Sequence, residues 1–127
     1  MAFKGFSPEQ RAWLASQRLG RLATVSPQGD VGNAPVTYFV RADDTIDIGG
    51  MRMGQTKKFR NVQAGSRVAF VVDTVDTSSG WHPIYLEIRG TAEAISDTEP
   101  PADGFSSEII RIHPEWTKSF NLPPAGG

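Results

Sequence analysis

The chain has 127 residues, with 13 Lys and Arg against 14 Asp and Glu, a net charge of −1. That is the size of one ordinary domain, without the basic excess of a general nucleic-acid binder. With no cysteine and only His82 and His113, it is excluded from disulfide, thiolate-metal and cysteine-nucleophile chemistry, and no metal site is expected.

No apolar run approaches the roughly 18–20 residues of a membrane span. The opening Met1-Ala2-Phe3-Lys4 lacks the apolar core of a signal peptide. A cytoplasmic protein of one domain over 1–127 is therefore expected, with its chemistry borrowed from a cofactor.

The first predicted element is a helix over about 8–19. Ser7 stands at the N-cap, Pro8 at the first helical position and Gln10 at N3, and Gly20 follows as a C′ residue. Trp13, Leu14 and Leu19 supply its buried side. Arg21–Val25 then reads as a strand, Ser26–Asp30 as a turn, and Ala34–Val40 as a second strand. Asp43-Asp44 turns into a third, Thr45–Ile48, so the three form an antiparallel meander.

A short helix over Thr56–Ala64, capped by Thr56 and ended at Gly65, follows, with Phe59 and Val62 toward the core. Arg67–Val72 is mostly apolar on both faces and suits a central barrel strand. Ile84–Ile95 alternates strictly, with Ile84, Leu86, Ile88, Ala92 and Ala94 on one face. An acidic, Pro-rich loop spans about 97–107, a last strand spans Glu108–His113, and a tail over 121–127 is expected to be flexible. Six strands, two short helices and tight turns predict a mainly β fold, a small closed or split antiparallel barrel, with a sandwich as the alternative.

Charge is unevenly distributed. Ile48–Val72 carries five basic residues, Arg52, Lys57, Lys58, Arg60 and Arg67, and no acid. A helix N-terminus attracts anions through free N–H groups and its dipole. Thr56 adds a hydroxyl there, and Gly49, Gly50 and Gly54 allow close backbone approach. The plainer reading is a solvated basic face with ordinary turn glycines. Lysines at a helix N-terminus are nonetheless disfavoured by the dipole, a penalty that a bound anion reverses.

Gly20-Arg21-Leu22-Ala23-Thr24-Val25, Pro27-x-Gly29 and Pro35-Val36 together resemble the opening of the pyridoxamine 5′-phosphate oxidase-like split-barrel family, an FMN-binding split-barrel type. Asp47-Ile48-Gly49-Gly50, Lys58-Phe59-Arg60-Asn61-Val62 and Arg67–Asp73 resemble its branch that binds the deazaflavin coenzyme F420. Trp81, Glu87–Glu93 and Ile110-Arg111-Ile112-x-Pro114 extend the likeness over about residues 10–120.

The resemblance implies a homodimer with the cofactor in a groove shared by both subunits, and a small-molecule substrate. It places Lys58 and Asn61 in the family's Lys-x-x-Asn element, with Thr56, Lys57 and Arg60 near the phosphate or anionic tail. Gly50 and Met51 line the same groove, Thr24, Pro35 and Val36 lie against the ring, and Trp81 reaches the ring from the partner subunit. Two departures touch substrate contacts: Gly50 where a small hydroxyl residue is usual, and Ser119-Phe120 where Trp follows Ser.

No nucleophile or acid–base pair stands out, as suits a redox coenzyme that carries the chemistry itself. Tyr38, Tyr85, His82 and His113 are the candidate proton donors, each also readable as a packing or surface residue, and Trp13 and Trp116 read as core or rim. Three functions stand open: an F420-dependent oxidoreductase, an FMN-binding flavoprotein, and a non-catalytic F420 carrier.

Overall fold

Ser7 begins the first helix as its sequence predicts. In the computed structural model, which describes residues 2–126 and so leaves out Met1 and Gly127 at the end of the expected tail, α1 spans Pro8–Ser16. The Ser7 hydroxyl accepts from the Gln10 N–H at 3.1 Å, and the Gln10 side chain accepts from the Ser7 N–H at 3.0 Å.

The helix was expected to reach Leu19 but stops three residues earlier. Its last carbonyls are taken by side chains: the Tyr38 hydroxyl donates to the Leu14 carbonyl at 2.6 Å, and the Ser16 hydroxyl to that of Trp13 at 2.7 Å. Gln17 is already extended. Leu19 and Gly20 therefore belong to the first strand, and Leu19 is 52% exposed instead of facing the core.

Six strands follow: β1 Leu19–Val25, β2 Val31–Val40, β3 Ile46–Gly49, β4 Val68–Asp76, β5 His82–Ile95 and β6 Ile109–Phe120. They form a closed antiparallel barrel in the order β1-β2-β3-β6-β5-β4, with β4 returning to β1. Between β3 and β4 lie a single 3₁₀ turn, Met53–Gln55, and the helix α2, Lys57–Gln63.

The expected meander is present, and β5 pairs with β6 from Tyr85 to Ile95. Alternate residues point inward, so Leu22, Ile48, Phe70, Val72, Leu86, Ile88 and Ile112 are wholly or almost wholly buried. Each is worth about 1.5–3 kcal/mol relative to exposure. Trp13 and Leu14 close the barrel on the α1 side, with the Trp13 indole N–H donating to the Val72 carbonyl at 2.9 Å.

The last strand departs most from expectation, continuing past His113 to Phe120. Pro114 ends a simple strand reading because it has no N–H to donate. Here it stands opposite Gly90, at the point where the ladder is already broken: Gly90 pairs with Pro114, but Arg89 pairs with Trp116, so Glu115 is the extra residue of a bulge. The Glu115 carbonyl accepts instead from the Phe3 N–H at 3.2 Å. The bulge brings the His113 carbonyl so near Gly90 that a Cβ there would overlap it.

Gly90→Ala is accordingly expected to lower unfolding stability by about 2–4 kcal/mol, measured by urea denaturation. A loss below about 0.5 kcal/mol would show that the bulge relaxes freely.

Candidate active site

The connection from β3 to β4 carries the basic stretch, and its cap uses a group that the sequence offers to a ligand. The Thr56 hydroxyl accepts from the Phe59 N–H at 3.2 Å and donates to the Met53 carbonyl at 2.7 Å. It is thus a cap and not a free donor.

The five basic side chains separate. Arg67 pairs with Glu115 at 2.6 Å. Arg60 is exposed and donates to the Gln55 carbonyl at 3.1 Å. Arg52, Lys57 and Lys58 have no carboxylate within 4.0 Å among the described residues. Lys58 is half-buried, and the loss of solvent around its ammonium holds its pKa below the ordinary lysine range. An unpaired cation in that position favours an anionic ligand.

Two clefts meet at Lys58. The wider, about 660 Å³, is bordered by Pro35, Val36, Gly50, Met51 and Thr56 among the expected residues, and also by Thr37, Arg52, Met53 and Phe105. The narrower, about 230 Å³, is bordered by Thr24, Lys57 and Asn61, with Asp30, Val31 and Asn33. Nine of the eleven expected binding residues thus border one cleft or the other. Arg60 and Trp81 border neither, and Trp81 is 72% exposed beside the β4–β5 turn.

Asn61 has a second task. Its side-chain N–H donates to the Thr24 hydroxyl at 3.0 Å, and both residues are 5% exposed. This buried bond ties α2 to β1 and fixes where Lys58 stands between the clefts. A buried amide without that partner would carry the full penalty of desolvation.

Phe105 is a cleft residue that sequence reasoning missed. It lies in the 97–107 loop, whose composition gives no periodicity to read. The loop is held down at Ser106, whose N–H and hydroxyl both donate to the Gly50 carbonyl, at 2.8 and 3.1 Å, while the hydroxyl accepts from the Met53 N–H at 3.1 Å. Asp30 and Asn33, read only as part of a turn and its approach to a strand, were missed for the same reason.

None of the four candidate proton donors borders either cleft. Tyr38 is sealed against the Leu14 and Gln17 carbonyls, and burial pushes its phenol up to about 12. Tyr85 stacks on Phe120 with centroids 5.7 Å apart. His82 lies 3.2 Å from the Ser79 carbonyl, and His113 is 2.5 Å from Glu93. Trp116 is half-buried under the Arg89 guanidinium, 4.4 Å from its ring centre.

The family profile described as pyridoxamine 5′-phosphate oxidase matches residues 6–125. A 5a,11a-dehydrotetracycline/5a,11a-dehydrooxytetracycline reductase of Streptomyces rimosus subsp. rimosus is 39% identical over 124 residues, covering 92% of this chain and 84% of that protein. A solved F420 reductase is 25% identical, with a TM-score of 0.58 over 80% of this chain and 89% of its own. A FAD-binding protein of Mesorhizobium loti shares the fold, at 21% identity and a TM-score of 0.64 over 92% of this chain and 95% of its own.

Thr24→Val removes the acceptor of the buried Asn61 amide at nearly constant volume. It is expected to cost about 1–3 kcal/mol in chemical denaturation, and Thr24→Ser to cost much less. Equal stability of Thr24→Val and the parent would contradict the anchoring role.

Proposed function

The chain belongs to the pyridoxamine 5′-phosphate oxidase family, and from that premise we propose that it is an F420-dependent reductase of small unsaturated or quinone-like substrates. The observation that carries this reading is Lys58, half-buried, unpaired, and standing where the two clefts meet. Lys58, Lys57 and Arg52 would hold the phosphate and the anionic tail through charge-assisted hydrogen bonds. Pro35, Val36 and Met51 give the wider cleft the apolar border that a deazaflavin ring needs.

A reduced deazaflavin, when bound, supplies a hydride. The protein's part is to bind, orient and exclude water. The accompanying proton is drawn from solvent at the mouth of the cleft, since no histidine or tyrosine among the described residues borders it. That the Streptomyces relative is named a reductase supports turnover over simple storage of the cofactor.

A second reading, an FMN flavoprotein, is favoured by one observation. Asp30 borders the narrower cleft beside Lys57 and Lys58, and a carboxylate there suits a single phosphate better than a long polyanion.

The protein is further proposed to act as a homodimer through the outer face of β1, β4, β5 and β6. The strand register aligns Asp73 of β4, Tyr85 of β5 and Phe120 of β6 on that face, and Arg21, two residues along β1 from Leu19, pairs with Val71 of β4. Leu19, Val75 and Phe120 are 52%, 37% and 47% exposed there, a grouping more typical of an interface than of a solvated sheet. Asn33 borders both the hollow on this face and the narrower cleft, which brings the cofactor groove to the proposed subunit boundary.

Lys58→Ala is expected to weaken F420 binding tenfold or more and to slow anaerobic reduction of 5a,11a-dehydrotetracycline by reduced F420. Stability should not fall at pH 7. A lysine whose folded-state pKa is lowered makes the folded state bind fewer protons than the unfolded state between the folded and the ordinary pKa, so stability rises with pH through that window. Below it the buried charge is a liability, and removing it costs nothing. Unchanged F420 affinity in Lys58→Ala would contradict the site.

A further inference from the structure

Resting on that reading of the cleft, we propose that Phe105 is the specificity wall of the site and that the substrate is a multi-ring conjugated ketone that stacks against it. Phe105 is the aromatic residue among those that border the wider cleft. It is half-buried and held from behind on two sides. Its ring packs against β3 at Gly49, where a side chain would collide with both Phe105 and Pro101. It also meets Phe39 of β2 edge-to-face, with centroids 6.0 Å apart and ring planes at 73°. The neighbouring Ser106 fastens the loop to the Gly50 carbonyl and the Met53 N–H. The ring is therefore placed before any ligand arrives, and a fixed aromatic wall selects by stacking and width at little cost in ordering.

Lys58 stands at the α2 end, where an anion is drawn in. Arg52 borders the cleft as well. With the cofactor ring on the Pro35–Val36 side and its phosphate toward Lys58, the Phe105 side is left to the substrate. An extended conjugated ring system fits there against the Phe105 ring.

The test compares 5a,11a-dehydrotetracycline with 2-cyclohexen-1-one as probes. Equilibrium dialysis measures their binding to the parent protein and to Phe105→Ala, Phe105→Leu and Phe105→Tyr, with and without F420, and circular dichroism checks each fold. The expected result is a loss of tenfold or more in affinity for the four-ring probe in Phe105→Ala, a smaller loss in Phe105→Leu and retention in Phe105→Tyr. Binding of 2-cyclohexen-1-one and of F420 should stay within about twofold. The proposal is overturned if the parent does not bind the four-ring probe, if Phe105→Ala binds it equally well, or if F420 affinity falls as far as probe affinity. The last outcome would make Phe105 a cofactor wall. Failure of the parent to bind F420 while the four-ring probe still depends on Phe105 would instead sink the cofactor reading and leave the wall standing.

Discussion

β4 closes the barrel, because it pairs with β5 on one side and β1 on the other, and its wholly buried Phe70 sits where those two pairings meet. The ring of Phe70 meets Tyr38 of β2 edge-on at 5.5 Å. The Tyr38 hydroxyl in turn holds the end of α1 through the Leu14 and Gln17 carbonyls. One run of contacts thus links the closing strand, β2 and the N-terminal helix. Closure also dictates where the site lies. β3 and β4 are not neighbours in the barrel, so the segment joining them must cross its end, and α2 rests there against β1, β5 and β6. The basic stretch is carried to the mouth of a cleft by topology.

Electrostatics then divides that stretch into parts that are used up and parts that are free. Arg67 is neutralised across the barrel by Glu115, and elsewhere Arg111 and Arg41 both pair with the buried Asp47, the former at 2.8 and 3.1 Å. Such pairs are structural and offer a ligand little. Lys58 differs because the fold half-buries its charge without a partner, held in place by the Asn61–Thr24 bond beneath it. A net charge of −1 describes neither arrangement. The property that bears on function is the unpaired basic end where the two clefts meet.

Much of this was legible in the sequence, because period-two alternation reports directly which side chains enter a barrel. Leu86 and Ile88, read from alternation alone, are wholly buried, and the Thr56 cap and the inward Phe59 and Val62 follow from local chemistry. The features that escaped depend on distant partners. Nothing near Ser16 says that a tyrosine more than twenty residues later will take the helix's carbonyls. Pro114 reads as a strand end unless a bulge opposite Gly90 is known to remove the need for its N–H. Phe105 reads as loop because its fixed position depends on Gly49, Phe39 and a serine that bonds across the fold. Arg60 and Trp81, grouped with the site by sequence proximity and family likeness, border neither cleft of their own chain.

The central claim is that an unpaired ammonium at the meeting of two clefts is held for a polyanionic coenzyme. Its most direct test is a fluorescence titration of the purified protein with F420 and with FMN, each at low and high salt. The account predicts that F420 binds more tightly, and that its affinity falls more steeply as salt rises, because several exposed charges on its tail meet Arg52, Lys57 and Lys58. Tighter binding of FMN, or an F420 affinity indifferent to salt, would contradict it.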